Sequence, residues 1–420
     1  MKVYIETYGC SANFSDSEIM SGLLESKGHE LVDSEKKADA VILNSCYVKD
    51  PTERKMKKRI KKLKNKKLIV AGCFPESDRK GIEEIAPNAS LIGPRNIQDI
   101  VQVVESEEKM VKLGGPGVEK SKLEKKRKNP LINIVQINEG CLCECSFCIT
   151  KHSRGKLQSY SIGAIVNDIK KSIEEGCKEI WLTSQDTGAY GLDFNRNLAE
   201  LLSKVSEIEG DFKTRIGMMN PIHAIRILPD LIGAYKSEKI FKFLHLPIQS
   251  GSDRVLDKMK RGNSVKQFET IVEKFREKFP KLTLSTDIIV GFPGETESDF
   301  QKTLDLIERV KPDIVNISRY GARPGTEASE LEQISGWKKK ERSRKLTKLV
   351  KKIGLEKNKK WVDWTGEILI DEEGKTGSWI GRNFAYRPIV VKNKENLFGK
   401  ELKVKIKKAK PTYLISEILD

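Results

Sequence analysis

The sequence of 420 residues contains no run of 18 or more apolar residues, the length at which an apolar stretch becomes a candidate for crossing a membrane. Its start, MKVYIETYGC, lacks the basic segment and the apolar stretch of a secretory signal peptide. We therefore expect a cytoplasmic protein that does not bind a membrane. Because disulfides are rare in that reducing compartment, metal binding or buried thiols must account for the eight cysteines.

Acidic residues are too few to balance the basic ones. Lys and Arg number 77 against 60 Asp and Glu, and the resulting formal charge of +17 favours a polyanion such as RNA as a partner. A charge-rich surface of the kind found in thermophiles would explain the same composition. The chain is also too long for a single core, and at about 150 residues per domain it predicts about three domains.

Residues 1–113 predict an N-terminal parallel α/β domain. Its strands KVYIETYGC, AVILNSC and LIVAGC alternate with a helix near residues 15–27 and with a second, basic helix. Each strand ends in a cysteine: Cys10, Cys46 and Cys73. Because right-handed crossovers keep such strands parallel, we expect the three thiols at one edge of the sheet, where ligands of open α/β sheets bind.

The rest of the chain divides into four segments by composition. The polar stretch 114–129 has no sustained apolar period and is predicted to be a linker. Six βα units predict a partial, open barrel over residues 130–337, because eight units would need more chain. A basic helical connector, 338–360, leads to a small β-barrel over 361–420. The predicted fold class is therefore α/β with a small all-β domain at the C-terminus.

A compact cysteine motif follows the first strand of the predicted barrel. In GCLCECSFCIT, Cys141, Cys145 and Cys148 have CxxxCxxC spacing. Three thiolates on one loop can bind three irons of a cubic iron–sulfur cluster. The fourth iron then has no protein ligand and is open for a reaction. A structural zinc loop would need a fourth ligand and more regular CxxC pairs.

This motif closely resembles that of radical-SAM enzymes. The resemblance implies that the open iron of a 4Fe-4S cluster binds S-adenosylmethionine and delivers the electron that cleaves its sulfonium bond. Phe147 matches the aromatic residue that the family places between the last two cysteines. Cys143 lies in the same loop, and the preference for Cys145 as a ligand rests on the spacing found in the family.

The N-terminal segments TYGCSAN, LNSC and AGC, with Asp16 to Glu18, resemble the methylthiotransferases of the MiaB and RimO group. Any one of these cysteines taken alone could be a buried packing thiol. The resemblance implies instead that Cys10, Cys46 and Cys73 bind a second 4Fe-4S cluster, whose open iron carries the sulfur to be transferred. Cys177 has no such context and is predicted to be a core thiol.

The resemblance extends over nearly the whole chain, through QDTGAYG, HLPIQSGSDRVL, STDIIVGFPGE and RPGT. It places five residues near S-adenosylmethionine or the substrate: Ser184, Gln185, Asp186, Gln249 and Gly291. Taken singly, Asp186 or His245 could equally be hydrogen-bonded within the rim of the barrel.

RKNPLINI, ITKHSRGKLQSY, EIWLTSQDTGAYG and IGMMNP resemble the branch that modifies threonylcarbamoyladenosine beside the tRNA anticodon. Lys151 or His152 stands where many methylthiotransferases have proline, a departure shared with this branch. The resemblance implies an enzyme that binds the anticodon stem-loop, consumes two S-adenosylmethionine molecules per product and needs external electron and sulfur donors. We also expect a monomer. Methylthiolation of a ribosomal-protein aspartate, or a non-catalytic iron–sulfur protein that binds RNA, remain the alternatives.

The C-terminal segment, with GRNFAYRPIVV at its centre, resembles the RNA-binding TRAM domain. Arg382 and Arg387 are predicted to pair with phosphates, and Phe384 and Tyr386 to stack on bases. Aromatic residues of a small barrel are more often part of its core. The basic helices RKMKKRIKKLKNKK and KKKERSRKLTKLVKK could extend the phosphate-binding surface or be solvated helix faces.

Overall fold

The structure, a computed structural model, describes residues 1–48, 50–375 and 377–419. Residues 2–112 contain a six-stranded parallel sheet of order β2-β1-β3-β4-β5-β6 with helices on its faces. Its strands are β1 (Lys2–Thr7), β2 (Glu30–Leu31), β3 (Ala40–Ser45), β4 (Lys67–Gly72), β5 (Ser90–Ile92) and β6 (Val111–Lys112). Its helices are α1 (Ser11–Ser26), α2 (Asp50–Leu63), α3 (Cys73–Ser77), α4 (Arg79–Ile85) and α5 (Ile100–Glu105). The predicted βαβαβ pattern is confirmed, and β2, β5 and β6 extend the sheet.

Helix α1 begins four residues earlier than the sequence predicts. The polar run SANFSDS is typical of a turn, because such side chains compete for the helix backbone. Here they bond to other elements instead: Asn13 donates to Ser45, Ser15 to Ile134, and Ser17 accepts from Asn44. The backbone is therefore left free to form the helix from Ser11 onward.

The central part of the chain forms a partial barrel from two three-stranded parallel ladders, β11-β10-β7 and β12-β13-β14. A parallel bridge between Thr214 and Ile240 joins the ladders. All six predicted strands are present, and a short antiparallel pair, β8 with β9, is added beside them. The strands are β7 (Ile132–Gln136), β8 (Asn138–Glu139), β9 (Gln158–Ser159), β10 (Glu179–Thr183), β11 (Lys213–Ile216), β12 (Phe243–His245), β13 (Thr283–Val290) and β14 (Ile314–Arg319).

Helices cover the outside of this partial barrel. They are α7 (Ile162–Glu174), α8 (Leu198–Ser206), α9 (Pro221–Ala224), α10 (Leu228–Ala234), α11 (Asp253–Lys258), α12 (Val265–Lys278) and α13 (Glu297–Val310), whereas the short helix α6 (Thr150–Arg154) lies against the N-terminal domain. Capping boxes fix the first turns of two of them: Ser264 with Gln267 in α12, and Thr296 with Asp299 in α13. Their apolar faces join the strands in one large core.

The basic helix α14 (Gly336–Lys359) leads to a closed five-stranded barrel of order β15-β16-β17-β19-β18. Its strands are β15 (Thr365–Glu373), β16 (Ser378–Arg382), β17 (Pro388–Lys392), β18 (Glu401–Ala409) and β19 (Leu414–Ile418). The predicted small β-barrel is therefore confirmed. Among the described residues, no helix combines the length and the apolar character that a membrane crossing requires.

Candidate functional site

The N-terminal cysteines follow three neighbouring strands whose ends are level. Thr7 of β1 pairs with Asn44 of β3, and Asn44 pairs with Ala71 of β4. Cys10, Cys46 and Cys73 come two or three residues later, so the parallel register brings all three to the same edge of the sheet. We call them the N-terminal cysteine site.

A single side chain, Asn13, organises this site. The thiols of Cys10 and Cys73 lie 3.5 and 4.0 Å from its Oδ1 atom, while its amide donates to Asn44 and to the carbonyl of Ser45. Asn13 is fully buried. It therefore fixes the thiols relative to the strand ends.

Two glycines allow the chain to turn sharply before a cysteine. Gly72 has φ of 89°, and a Cβ atom there would lie 2.4 Å from Oδ1 of Asn44. Gly140 has φ of 78°, and its Cβ would lie 2.0 Å from the carbonyl oxygen of Lys156. Only glycine fits these positions, and each directs the next residue, Cys73 or Cys141, into its site.

The charges around the N-terminal cysteine site fit an anionic iron–sulfur cluster. Burial, opposed by Arg154 and assisted by the thiols of Cys10 and Cys46, raises the pKa of Cys73 to about 12. Burial alone would lower the pKa of Arg154, but Cys73 and the nearby carboxylates keep this guanidinium charged. Three converging thiols beside a buried cation are a suitable donor set for such a cluster.

The second set of cysteines lies on the loop after β8, at the C-terminal ends of the barrel strands. Arg261 Nη1 lies 3.4 Å from the sulfur of Cys145, and Arg261 also donates to the carbonyl of Pro247. The backbone N–H of Cys148 donates to the carbonyl of Cys145, which closes the turn between them. We call Cys141, Cys145 and Cys148 the loop cysteine site.

Cys143 lies inside this loop, close to polar side chains from the barrel. Its backbone N–H donates to the sulfur of Cys141 at 3.3 Å, and its own sulfur accepts from Asn220 at 3.1 Å. His223 Nε2 lies 3.6 Å from the sulfur of Cys143 and 3.6 Å from Asp186. Ligand atoms of Cys141, Cys143 and Asp186 lie within 4.8 Å of one another, a spacing suited to a single ion, whereas the corners of a cubic cluster need more widely spaced thiolates.

The five residues predicted to lie near S-adenosylmethionine or the substrate all follow the C-terminal ends of strands. Gln185 accepts from the N–H of Gly140 at 2.7 Å, next to Cys141. Ser184 accepts from the N–H of Asp186. Asp186 is buried, which raises its pKa although His223 opposes the shift, and it accepts from the N–H of Asn220 and of Gly188.

Gln249 and Gly291 complete these five residues, and Phe147 of the cysteine motif lies at the same end of the barrel. Gln249 is buried in the left-handed conformation with φ of 76°, an uncommon state for glutamine, and its backbone continues the pairing with β13. Gly291 donates to Glu295 at 2.7 Å directly after β13. Phe147 packs edge-on against Phe292, which anchors the cysteine loop to this same end of the barrel.

Direct contacts join the two cysteine sites. Ser11, the neighbour of Cys10, shares a hydrogen bond of 3.0 Å with Thr183 at the end of β10. Two residues further along, Gln185 holds Gly140 beside Cys141. The edge of the N-terminal sheet therefore faces the C-terminal ends of the barrel strands.

Four buried charged side chains complete this contact. Arg154 donates to Asp16 at 2.8 Å and to Glu139 at 2.7 Å, and Lys120 binds the same two carboxylates at 2.7 and 3.0 Å. Each side chain is 1% exposed. We call these residues the charge cluster. Lys120 lies in a short 3-10 helix, Lys120–Lys122, within segment 114–129, and its ion pairs attach this segment to both domains.

The four residues predicted to contact RNA occupy different environments. Tyr386 is buried against Phe241 and Phe243, with ring centroids 4.9 and 5.4 Å away. Arg387 is also buried and binds Asp313 just before β14. Because the barrel interface covers both side chains, they lack the exposed surface that the predicted base and phosphate contacts require.

The other two keep some access to solvent. Arg382 pairs with Asp371 and Glu372 at 3.3 Å, so nearby carboxylates already neutralise its charge. Phe384 is 37% exposed and packs against Trp361 and Trp364 on one side. Of the four, Phe384 has the most accessible ring.

Sequence reasoning missed several residues that build the site: Asn13, Lys120, Glu139, Arg154, Asn220, His223 and Arg261. A signal was available for Asn13, Arg154 and Asn220, since their segments TYGCSAN, ITKHSRGKLQSY and IGMMNP carried part of the family resemblance. The others act through contacts between distant segments, such as Lys120 with Asp16. Sequence spacing does not predict contacts of that kind.

Three known families match separate parts of the chain. Residues 2–93 match the uncharacterized protein family UPF0004, residues 135–307 match the radical SAM superfamily, and residues 365–419 match the TRAM domain. The first match contains the N-terminal cysteine site, and the second contains the loop cysteine site.

Among solved structures, the radical S-adenosylmethionine methyltransferase TsrM from Kitasatospora setae superposes with a TM-score of 0.56 at 12% identity, covering 78% of this chain and 77% of that one. The cobalamin-dependent radical enzyme OxsB gives 0.53 at 13% identity, covering 84% of this chain and 56% of that one. At such identities the likeness concerns the fold alone.

Curated relatives match along the whole chain. A probable threonylcarbamoyladenosine tRNA methylthiotransferase of Archaeoglobus fulgidus is 48% identical over 100% of this chain and 99% of its own, and one of Pyrococcus horikoshii is 45% identical over 100% of both. The human threonylcarbamoyladenosine tRNA methylthiotransferase is 39% identical over 96% of this chain and 72% of its own. The chain therefore belongs to the threonylcarbamoyladenosine tRNA methylthiotransferase family and carries its radical SAM and TRAM domains.

Proposed function

We propose that this enzyme converts threonylcarbamoyladenosine beside the tRNA anticodon to its 2-methylthio derivative, using two S-adenosylmethionine molecules and two 4Fe-4S clusters. The observation that carries the proposal is the meeting of the two cysteine sites through the Ser11–Thr183 and Gln185–Gly140 hydrogen bonds. A methylthio group prepared at one site and a radical formed at the other must reach the same adenine carbon, so the two sites must be neighbours.

When bound, the clusters supply the electron that cleaves S-adenosylmethionine at the loop cysteine site and the open coordination position for sulfur at the N-terminal cysteine site. Cys141, Cys145 and Cys148 would hold the first cluster. Cys10, Cys46 and Cys73 would hold the second. The chain's other residues then have to bind and orient the substrates and keep the two sites aligned.

The residues beyond β10, β12 and β13 would orient S-adenosylmethionine and the nucleoside. Gln185 fixes the turn before Cys141 through its bond to Gly140, and Asp186 fixes the turn that carries Asn220. At Gly291 the backbone turns with φ of 73° at the end of β13, a conformation that suits glycine. Gln249, Ser184 and Phe147 line the same end of the barrel as parts of the proposed binding surface.

For RNA binding, we propose that Phe384 stacks on an unpaired base and that Arg382 makes a weaker phosphate contact. The exposed ring of Phe384 supports the first assignment, and the two carboxylates beside Arg382 explain why the second contact would be weaker. The basic helix α2, with Lys61 and Lys62 in its last turn, adds positive surface to the domain that holds the N-terminal cysteine site. We propose that the protein acts as a monomer in the cytoplasm and receives electrons and sulfur from external donors.

The decisive experiment is mass spectrometry of tRNA nucleosides from a strain that lacks this gene. We expect the 2-methylthio form of threonylcarbamoyladenosine to disappear, the unmodified nucleoside to accumulate, and the wild-type gene to restore the product. Retention of the methylthio nucleoside in the deletion strain would refute the proposed substrate.

A second measurement separates an enzyme from a non-catalytic iron–sulfur protein. The full chain, reconstituted without oxygen and given a chemical reductant, should cleave S-adenosylmethionine and release deoxyadenosine. The triple variant Cys141→Ala, Cys145→Ala, Cys148→Ala is the control and should release none. Equal release by both proteins would contradict the role of the loop cysteine site.

A further inference from the structure

The charge cluster has no role in the proposed chemistry, yet it is the most deeply buried group of ions beside the cysteines. Its members come from three segments of the chain: Asp16 from α1, Lys120 from segment 114–129, and Glu139 and Arg154 from the barrel domain. Burying four ions is expensive unless each is paired, and here two cations face two carboxylates. The formal charge of the group is therefore zero.

The two cations hold the same carboxylates but differ in what else they reach. Arg154 Nη2 also donates to Oδ1 of Asn13 at 3.3 Å. That oxygen is the atom that the thiols of Cys10 and Cys73 approach. The contacts of Lys120 run to Asp16 and Glu139. Arg154 therefore places a positive charge next to the N-terminal cysteine site.

We propose that Arg154 is a positioning residue for the N-terminal cysteine site, where it fixes Asn13 against the thiols and raises the reduction potential of the cluster held there. This inference rests on the proposed function, since it assumes a cluster at Cys10, Cys46 and Cys73. Reduction adds negative charge to a cluster, and a fixed cation a few ångströms away in a buried setting favours the reduced form.

Arg154 also lies six residues after Cys148, at the end of α6, within the chain segment that forms the loop cysteine site. One guanidinium therefore links the two sites: its backbone follows one set of cysteines, and its side chain reaches the other. The reactive edge of the N-terminal sheet is held in a fixed position relative to the barrel.

Two charge-balanced double variants separate this role from an ordinary structural ion pair. Arg154→Met with Glu139→Gln leaves the neutral pair of Lys120 and Asp16, whereas Lys120→Met with Glu139→Gln leaves the neutral pair of Arg154 and Asp16. Both lose one cation and the same carboxylate. They differ in whether a cation remains next to Asn13.

The measurement is the midpoint potential of the N-terminal cluster, followed by electron paramagnetic resonance in full-length protein. The loop cysteines are replaced by alanine in every sample, so that the remaining cluster alone gives the signal. We expect a more negative potential for Arg154→Met with Glu139→Gln than for the parent protein. We expect a potential close to that of the parent for Lys120→Met with Glu139→Gln and for Arg154→Lys.

Equal potentials in the two double variants would overturn the proposal. If Arg154→Met with Glu139→Gln fails to retain iron while the Lys120 double variant retains it, the positioning role is supported through cluster occupancy. If both double variants lose iron equally, Arg154 has only a structural role and the proposal fails. Failure of the proposed function would look different: the parent protein itself would then bind no cluster at Cys10, Cys46 and Cys73.

Discussion

The central barrel meets its two neighbouring domains at opposite ends and by different chemistry. At the C-terminal ends of its strands, the N-terminal domain is held by buried ions and hydrogen bonds, with Arg154 and Lys120 at the centre. Near the N-terminal ends of β12 and β14, the small C-terminal barrel is held by aromatic packing around Tyr386 and by one buried ion pair, Arg387 with Asp313. There Tyr386 lies against Phe243, and the guanidinium of Arg215 lies 5.3 Å from the centre of the Tyr386 ring.

The difference follows from what each interface must do. Polar contacts are directional, so they fix angles and distances between the cysteine sites at some cost in stability. Aromatic packing stabilises through buried area and tolerates small shifts. The polar interface therefore fixes the relative position of the two cysteine sites. The aromatic interface attaches the C-terminal barrel to the central barrel.

The largest expected effect is the loss of the methylthiolation reaction when a cysteine at the polar interface is replaced. Cys46→Ala removes one of three thiolates from the N-terminal cysteine site and should abolish the methylthio product, with tRNA binding largely unchanged. Cys177→Ala is the matched control, because this buried thiol donates to the carbonyl of Pro130, away from both cysteine sites, and it should keep activity. Product analysis together with a tRNA binding assay tests both, and full activity of Cys46→Ala would refute the role of this site.

The next effect concerns stability at the polar interface. Lys120→Met leaves two buried carboxylates with one cation, so we expect the free energy of unfolding to fall by about 3–5 kcal/mol. Lys122→Met in the same segment is the control. Its side chain is 65% exposed and pairs with Glu119 at the surface, so the substitution should cost less than about 1 kcal/mol. Denaturant titrations of the two variants should differ clearly, and equal midpoints would mean that the charge cluster does not hold the domains together.

At the aromatic interface, Tyr386→Ala should lower the free energy of unfolding by about 3 kcal/mol, because it empties a large buried volume. The affinity of the folded protein for tRNA should stay the same. Phe384→Ala, two residues away, should show the reverse: little loss of stability and an affinity weaker by about fivefold or more, if the ring stacks on a base. Weakened RNA binding by Tyr386→Ala alone would show that the interface residue contacts RNA after all.

The smallest effect is a pH dependence at the polar interface. Burial raises the pKa of Glu18 from 4.5 to about 7, against the opposing bond from the N–H of Lys128. A raised carboxyl pKa gives stability that is complete below pH 4.5 and is lost as the pH rises through 7. Between pH 5 and pH 8, the free energy of unfolding of Glu18→Gln should therefore rise relative to that of the wild type by about 1–3 kcal/mol. Parallel stability curves for the two proteins over this range would contradict the shift.

Much of the fold could be predicted because its signals are local. The three strands that end in Cys10, Cys46 and Cys73, the six barrel strands and the small C-terminal barrel all show apolar periods bounded by glycine or polar residues. Family resemblance then singled out the cysteines, and their positions at level strand ends follow from parallel pairing.

The interfaces could not be predicted in the same way. Lys120 lies in a polar, glycine-rich stretch that is typical of a linker, and only the partners Asp16 and Glu139 explain its burial. Tyr386 lies in a loop whose composition suits RNA binding, yet its ring fills a gap beneath the barrel. In each case a distant segment determines whether the side chain is buried. The sequence around the residue does not predict which segment that is.

The burial of Lys120 also restricts how the enzyme can move. A rotation of the N-terminal domain about segment 114–129 would have to pull this ammonium group away from both carboxylates, and each buried charge would then lose its partner. Opening and closing at this joint would therefore be slow and energetically unfavourable. We expect the N-terminal domain and the barrel to keep their relative orientation when tRNA binds, so that the RNA rather than this joint changes shape.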